Sequence, residues 1–126
     1  MPIVDHAALP AFEFPGLRHR TVAGLDHDVR SMEVWVQTVD PGGATPVHRH
    51  ACEEIIVVLS GRGQLTIEGE TREFGPASTL IIPHDAIHQI VNTGDVPMEL
   101  VAALGMGPVR VRTAEGDPLP VPWQIG

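Results

Sequence analysis

The stretch Thr45–Gly61, TPVHRHACEEIIVVLSG, sets two histidines on alternate residues, follows them with a pair of glutamates and then runs through branched apolar residues to a glycine. In an extended chain residues two apart share a face, so His48 and His50 point the same way. Glu54, four residues further on, keeps that parity, whereas Glu53 points to the opposite side. Imidazole nitrogen and carboxylate oxygen both suit borderline first-row metals, and a carboxylate offsets the charge of the ion. The competing reading of the same residues is a polar loop ahead of a core strand, with no ligand involved. A metal site would need a fourth donor from elsewhere in the chain. The stretch Ile81–Asn92, IIPHDAIHQIVN, offers His88 at the head of a strand, after a turn marked by Pro83 and Asp85.

With 126 residues the chain has the length of one ordinary domain and one core. Thirteen glycines and twelve prolines interrupt it every few residues, and the segments between them are short and rich in Val, Ile and Thr. This composition predicts an all-β fold. Strands are expected near Arg18–Ala23, Ser31–Val39, Glu53–Leu59, Gln64–Glu68, Ser78–Ile82, His88–Asn92, Met98–Leu104 and Val109–Arg112. Turns are expected at Asp40–Gly43, Ser60–Gly63, Glu68–Glu70, Phe74–Pro76 and Asn92–Asp95. Many short strands at this spacing make a sandwich or barrel. Residues 113–126 are proline-rich, and the expectation is an extended tail on the surface or across a partner subunit.

The composition also removes several function classes. Acidic residues exceed basic ones by eight and the arginines are scattered, which leaves no basic footprint for nucleic acid. No stretch has the length and apolar character of a bilayer span, and the first residues lack the pattern of a secretory leader; a soluble, cytoplasmic protein is expected. The single cysteine, Cys52, excludes a disulfide within the chain and makes a thiolate metal site a poor reading. The absence of tyrosine confines acid–base chemistry to His, carboxylates, Arg and solvent.

Taken together, the two histidine stretches resemble the paired motifs of the cupins. Gly42, five residues, His48-Arg49-His50, three residues, Glu54, six residues and Gly61 match the first motif throughout. Pro83, His88 and Asn92 match the second in register, but Asp85 and Ala77 stand where that motif has glycine. Aspartate tolerates a left-handed turn, so the departure at Asp85 is compatible with the fold. The resemblance implies a single-domain antiparallel jelly-roll with its core over residues 18–112, homodimeric as small cupins commonly are. It also implies one divalent metal held by His48, His50, Glu54 and His88. Three imidazoles and one carboxylate would leave two exchangeable positions on a six-coordinate ion. Fe2+ is the favoured ion, with Mn2+, Ni2+, Zn2+ and Cu2+ as alternatives.

The strand parities extend the site into a pocket. Ile56 and Val58 follow Glu54, Ile90 follows His88, and Trp35 and Gln37 share one face of their strand, so a narrow and mostly apolar cavity is expected beside the metal. The residual positive charge of such a centre favours an anionic or chelating small molecule. Asn92 reads as a turn stabiliser, Cys52 as a small filler on the opposite face, and His6, His19, His27 and His84 as surface or structural residues. The leading functional expectation is a metal-dependent oxygenase. A non-redox isomerase, lyase or decarboxylase and a non-catalytic binding module are the alternatives, because one scaffold hosts many chemistries.

Overall fold

Residues 3–123 are described by the computed structural model, and they form two antiparallel sheets facing each other. In chain order the strands are β1 (Phe12–Phe14), β2 (Leu17–Ala23), β3 (Glu33–Val39), β4 (Glu54–Ser60), β5 (Gly63–Ile67), β6 (Glu70–Phe74), β7 (Ser78–Ile82), β8 (His88–Asn92) and β9 (Met98–Leu104). The larger sheet runs β1-β2-β3-β9-β4-β7 and the smaller β6-β5-β8. Apart from 3-10 turns at His6–Ala8 and Leu25–His27, the described residues contain no helix, and none is long and apolar enough to cross a membrane. The expected antiparallel β-sandwich of jelly-roll type is what forms.

Alternation drives the assembly. Along β3 and β4 every second residue is buried, and the inward sets Trp35, Gln37, Val39 and Glu54, Ile56, Val58 face the smaller sheet. Ile82, Ile90, Met98, Leu100 and Leu104 fill the space between the sheets, each at most 2% exposed. The strand run in Thr45–Gly61 stops where Gly61 takes a left-handed φ of +84°, and a Cβ there would stand 2.8 Å from Met98 Cα. Glycine is required at that turn on both counts.

Three sequence expectations need correction. Val109–Arg112 is not a strand; Arg112 makes only isolated bridges to Arg49 and Pro118. Two strands went unseen, β1 and β6. The latter, ETREF, is exposed along nearly its whole length and has no apolar alternation to announce it. It forms because Glu68 and Gly69, both left-handed, close a two-residue hairpin that sets Ile67 opposite Glu70. The C-terminal segment, expected on the surface, turns inward: Leu119 N–H donates to Val111 O at 3.0 Å, and Val121 and Trp123 are buried. Glu33, unremarked in the sequence, is buried and anchors this return, accepting from Trp35 Nε1 and from the backbone N–H of Val109, each at 2.8 Å.

Candidate metal centre

His48, His50, Glu54 and His88 converge at one end of the space between the sheets, each offering a ligand atom within 4.8 Å of all the others. All four are buried. Glu54 opens β4 and His88 opens β8, while His48 and His50 sit on the segment leading into β4. His48 is tied to the second sheet by reciprocal backbone hydrogen bonds with His88, N–H to O at 3.1 and 2.9 Å. Glu53 points outward and is exposed.

Backbone carbonyls fix the orientation of all three imidazoles. A carbonyl can only accept, so the ring nitrogen facing it carries the proton. The Nδ1–H of His48 donates to Pro46 O at 2.7 Å, that of His88 to Ala86 O at 2.8 Å and that of His50 to Cys52 O at 3.2 Å. Each ring therefore turns Nε2 inward, the arrangement by which outer partners orient metal-binding histidines. Cys52 is buried too and lies not away from the cluster but against it, Sγ 3.4 Å from His50 Nδ1.

The electrostatics call for a cation. Glu54 Oε1 lies 3.1 Å from His50 Nε2 and 3.2 Å from His88 Nε2. Burial alone would raise the Glu54 pKa, but the two histidines outweigh it and hold it down to about 2. Burial likewise opposes a charged His50, yet its contacts with Cys52 and Glu54 lift it to about 10. Burial, reinforced by the nearby His88, lowers His48 to about 4. A proton on His50 thus balances the carboxylate within the cluster, which is the balance a bound cation would supply. His88 Nε2 is buried without a hydrogen-bond partner, close to the carboxylate but not bonded to it. An orphaned imidazole nitrogen aimed into a cluster of donors fits a metal ion, since a buried polar atom left unpaired is costly.

Beside the cluster lies a cavity of about 30 Å³. By this measure it holds about two waters. Of the side chains expected there, Trp35, Gln37, Ile56 and Ile90 line it together with His48, Glu54 and His88, whereas Val58 is fully buried and does not reach it. Leu17, Thr45, Pro46, Val111, Val121 and Trp123 complete the wall and were not anticipated. Thr45 and Pro46 could have been found from their place just ahead of His48. Trp123 carried no spacing signal, because it arrives through an irregular segment.

A further buried group stands behind this wall. His19 is fully buried: Gln37 Nε2–H donates to its Nδ1 at 2.9 Å, its Nε2 meets Thr21 Oγ1 at 2.7 Å, and Trp123 stacks on it with ring centroids 3.8 Å apart. Asn92 pins the turn before β9, donating to Val39 O and Val96 O and accepting from Gly94 N–H, each at 2.9 Å. Of the other histidines His6 and His84 are exposed and His27 is half-buried.

Comparison with known proteins agrees with this architecture. Residues 2–120 match the family model described as auxin binding protein. The chain is 38% identical to auxin-binding protein 1 of Arabidopsis thaliana over 124 residues, covering 88% of this chain and 63% of that protein. It is 42% identical to auxin-binding protein T85 of Nicotiana tabacum over 108 residues, covering 76% of this chain and 58% of that protein. The chain thus spans about three-fifths of the length of these relatives. Among solved structures, the polyketide cyclase RemF from Streptomyces resistomycificus matches with a TM-score of 0.71 at 27% identity, over 87% of this chain and 84% of that one. A cupin-2 domain from Rhodospirillum rubrum matches with a TM-score of 0.68 at 20% identity, over 90% and 78% of the two chains, and shows the shared fold. On its motif, its sandwich and this family match, the chain belongs to the auxin-binding protein family of small cupins.

Proposed function

We propose that the protein holds a divalent transition metal between His48, His50, Glu54 and His88 and uses it to bind a small anionic or chelating organic molecule. The observation that carries this reading is the set of three carbonyl-tethered imidazoles gathered around one buried carboxylate, with Nε2 of His50 and of His88 at 3.1 and 3.2 Å from it and that of His88 unpartnered. When bound, the ion supplies Lewis-acid attraction for a carboxylate or enolate oxygen and, if it is iron, redox chemistry. The chain's own residues do the rest. Trp35, Ile56, Ile90, Val121 and Trp123 give the guest an apolar, water-poor wall, and Gln37 and Thr45 are the polar groups besides the cluster itself. His19 holds the Gln37 amide in one orientation toward that wall.

The cavity has room for about two waters, so a larger organic guest requires its wall to give way, and the Val121–Trp123 segment, which lies outside the strands, is the part we expect to move. The name of the relatives places auxin in the panel of guests to be tried. The test is metal analysis of untagged protein followed by calorimetric titration with oxalate, benzoate and indole-3-acetate. We expect one divalent ion per chain and acid binding that disappears after chelation. His50→Ala should lose the metal while keeping the β-sheet circular dichroism. Stoichiometric metal retained by that variant would show that the ligands are other residues.

Turnover as an oxygenase is the second reading, favoured by one feature of the cavity. Among the described residues the ionisable side chains that line it are His48, Glu54 and His88, all proposed metal ligands, so a proton-transferring isomerase or lyase would have to draw its acid or base from them. An iron centre acting on dioxygen and a chelating substrate needs none from the wall. Dioxygen uptake by iron-loaded protein against diketones, catechols and hydroxy acids separates the two readings. Uptake with one of them supports the oxygenase; a guest that binds tightly and returns unchanged with no uptake leaves the binding function.

A further inference from the structure

Three separate parts of the chain meet beside the β1–β2 end of the larger sheet. Leu9 and Pro10 lead into β1, the turn at Leu25–His27 follows β2, and the C-terminal return delivers Pro122 and Trp123. With Phe12 and Thr21 they enclose a second cavity, of about 160 Å³. It is distinct from the one beside the metal: among the described residues Trp123 alone lines both, and none of the four proposed ligands lines this one. The pairing of β1 with β2 sets Phe12 opposite His19, and Thr21, two residues on, shares that face. Pro10, Asp26 and Pro122 are exposed, so the cavity meets solvent on their side.

Polar atoms without partners collect here. Buried polar atoms are ordinarily paired, and the described residues contain four buried side-chain nitrogens that are not. One is His88 Nε2 in the metal cluster; two others, the indole Nε1 of Trp123 and Nδ1 of His27, belong to residues lining this cavity. Trp123 is only 8% exposed. Thr21 adds a further donor. Gln37 gives an amide proton to His19 Nδ1, so the ring's own proton sits on Nε2 and goes to Thr21 Oγ1 at 2.7 Å. The hydroxyl proton of Thr21 is then left without an acceptor among the described residues.

We infer that this cavity binds a neutral, hydroxylated ring of five or six atoms. Size sets the ring, since a cavity of about 150 Å³ takes one benzene. Polarity sets the hydroxyls. The Trp123 N–H and the Thr21 O–H need acceptors, the Asp26 carboxylate needs a donor, and His27 Nδ1 takes either role according to its tautomer. A hydroxyl group is donor and acceptor at once, so a ring carrying two or more serves them all. An anion is opposed by Asp26 and by the net charge of −8, with no arginine or lysine lining the cavity to offset them. A cation would meet two donor protons, and a plain hydrocarbon would leave both unpaired. Leu9, Pro10, Phe12 and Pro122 supply the apolar wall against which the ring packs.

Resorcinol and methyl glucopyranoside carry hydroxyls on an aromatic and on a saturated ring, and titrating each into nitrogen-15-labelled, zinc-loaded protein tests this. The chain has two tryptophans and therefore two indole N–H resonances. That of Trp35 is already committed to Glu33 at 2.8 Å and should stay in place. That of Trp123, identified by its loss in Trp123→Phe, should move saturably with at least one of the two compounds, and the compound that moves it tells the aromatic from the saturated class. Chelation of the zinc should leave the shift unchanged, whereas it should abolish acid binding at the metal. Asp26→Ala, on an exposed turn, should weaken ring binding about tenfold, and Thr21→Val about fivefold. An unmoved Trp123 resonance with both compounds at tens of millimolar would overturn the inference. So would a shift that disappears on chelation, or one that both variants retain at wild-type affinity.

Discussion

The indole of Trp123 lies flat on the imidazole of His19, with ring centroids 3.8 Å apart and planes within 11° of parallel. One partner belongs to the second strand of the chain and the other to its C-terminal segment, so the stack closes the cavity wall from opposite ends of the sequence. Trp35 meets both rings edge-on, at 4.9 and 5.9 Å. Aromatic contacts of this kind add to the area they bury.

Both tryptophans of the protein line the metal-side cavity, which makes intrinsic fluorescence a direct reporter of it. Adding Co2+ to metal-free protein should quench the emission with one-to-one stoichiometry, and His50→Ala should not respond. Trp123→Ala should lower the unfolding free energy by about 3 kcal/mol, as large aromatic truncations in a packed interior do. A urea titration in which Trp123→Ala matches the wild type would mean that the C-terminal segment leaves the wall without cost.

His19 sets a pH dependence. Burial lowers its pKa from 6.5 to about 3, so in the folded protein it stays neutral where the unfolded chain would protonate it. Between those values the unfolded state holds the extra proton, and stability rises with pH. The contribution is complete above about pH 6.5 and is lost as pH falls toward 3. His19→Asn removes the titration, so wild type should exceed the variant in stability by most at pH 7. That margin should shrink by about 3 kcal/mol by pH 4. Urea unfolding of chelator-treated protein at pH 7, 6, 5 and 4 measures it; a margin constant across the series would show that His19 is not held neutral by the fold.

How far the sequence discloses this site depends on how regular the backbone is. Parity along an extended chain is a local rule, so His48, His50 and Glu54 could be placed on one face, and Gln37 and Trp35 on another, without knowing the fold. The rule fails wherever the chain stops alternating. Trp123, Val121 and Val111 reach the cavity through a segment with isolated bridges and no strand, and no periodicity leads to them. β6 was hidden for a related reason, since a strand exposed on both faces carries no hydrophobic period. His19 could be assigned a structural role but not its partners, because Gln37 and Trp123 become its neighbours only through sheet pairing and the C-terminal return.

Arg49, between the two histidines, faces away from the metal cluster and joins three segments. Its Nε and Nη2 donate to the two carboxylate oxygens of Asp85, each at 3.0 Å, and its Nη1 donates to Ala114 O at 3.1 Å. Asp85 N–H donates in turn to His50 O at 3.0 Å. The hydrogen bonds to Asp85 raise the Arg49 pKa and lower that of Asp85, so the pair is charged at any ordinary pH. Arg49→Ala should loosen the histidine segment and weaken metal affinity about tenfold, the scale of losing a group that orients ligands. Arg49→Lys should not restore it, since an ammonium cannot reproduce the two-pronged contact. Competition with a chromophoric chelator reads both variants; full affinity in Arg49→Ala would assign the ligand geometry to the strands alone.

The two positions where the second motif lacks glycine both adopt left-handed backbone, Ala77 at φ +59° and Asp85 at φ +61°. Aspartate tolerates that region, but alanine does so at a cost of about 1–2 kcal/mol. Ala77 is exposed, and its N–H donates to Val58 O at 3.0 Å, a bond that glycine would keep. Ala77→Gly therefore relieves strain without opening a cavity, although the freer unfolded chain returns part of the gain. The net effect should be a stabilisation of about 0.5–1 kcal/mol, visible as a higher urea midpoint at unchanged slope. Gly61→Ala, at φ +84° and against Met98, should shift the midpoint the other way and further. An Ala77→Gly variant less stable than wild type would show that the turn before β7 is held by something other than its backbone conformation.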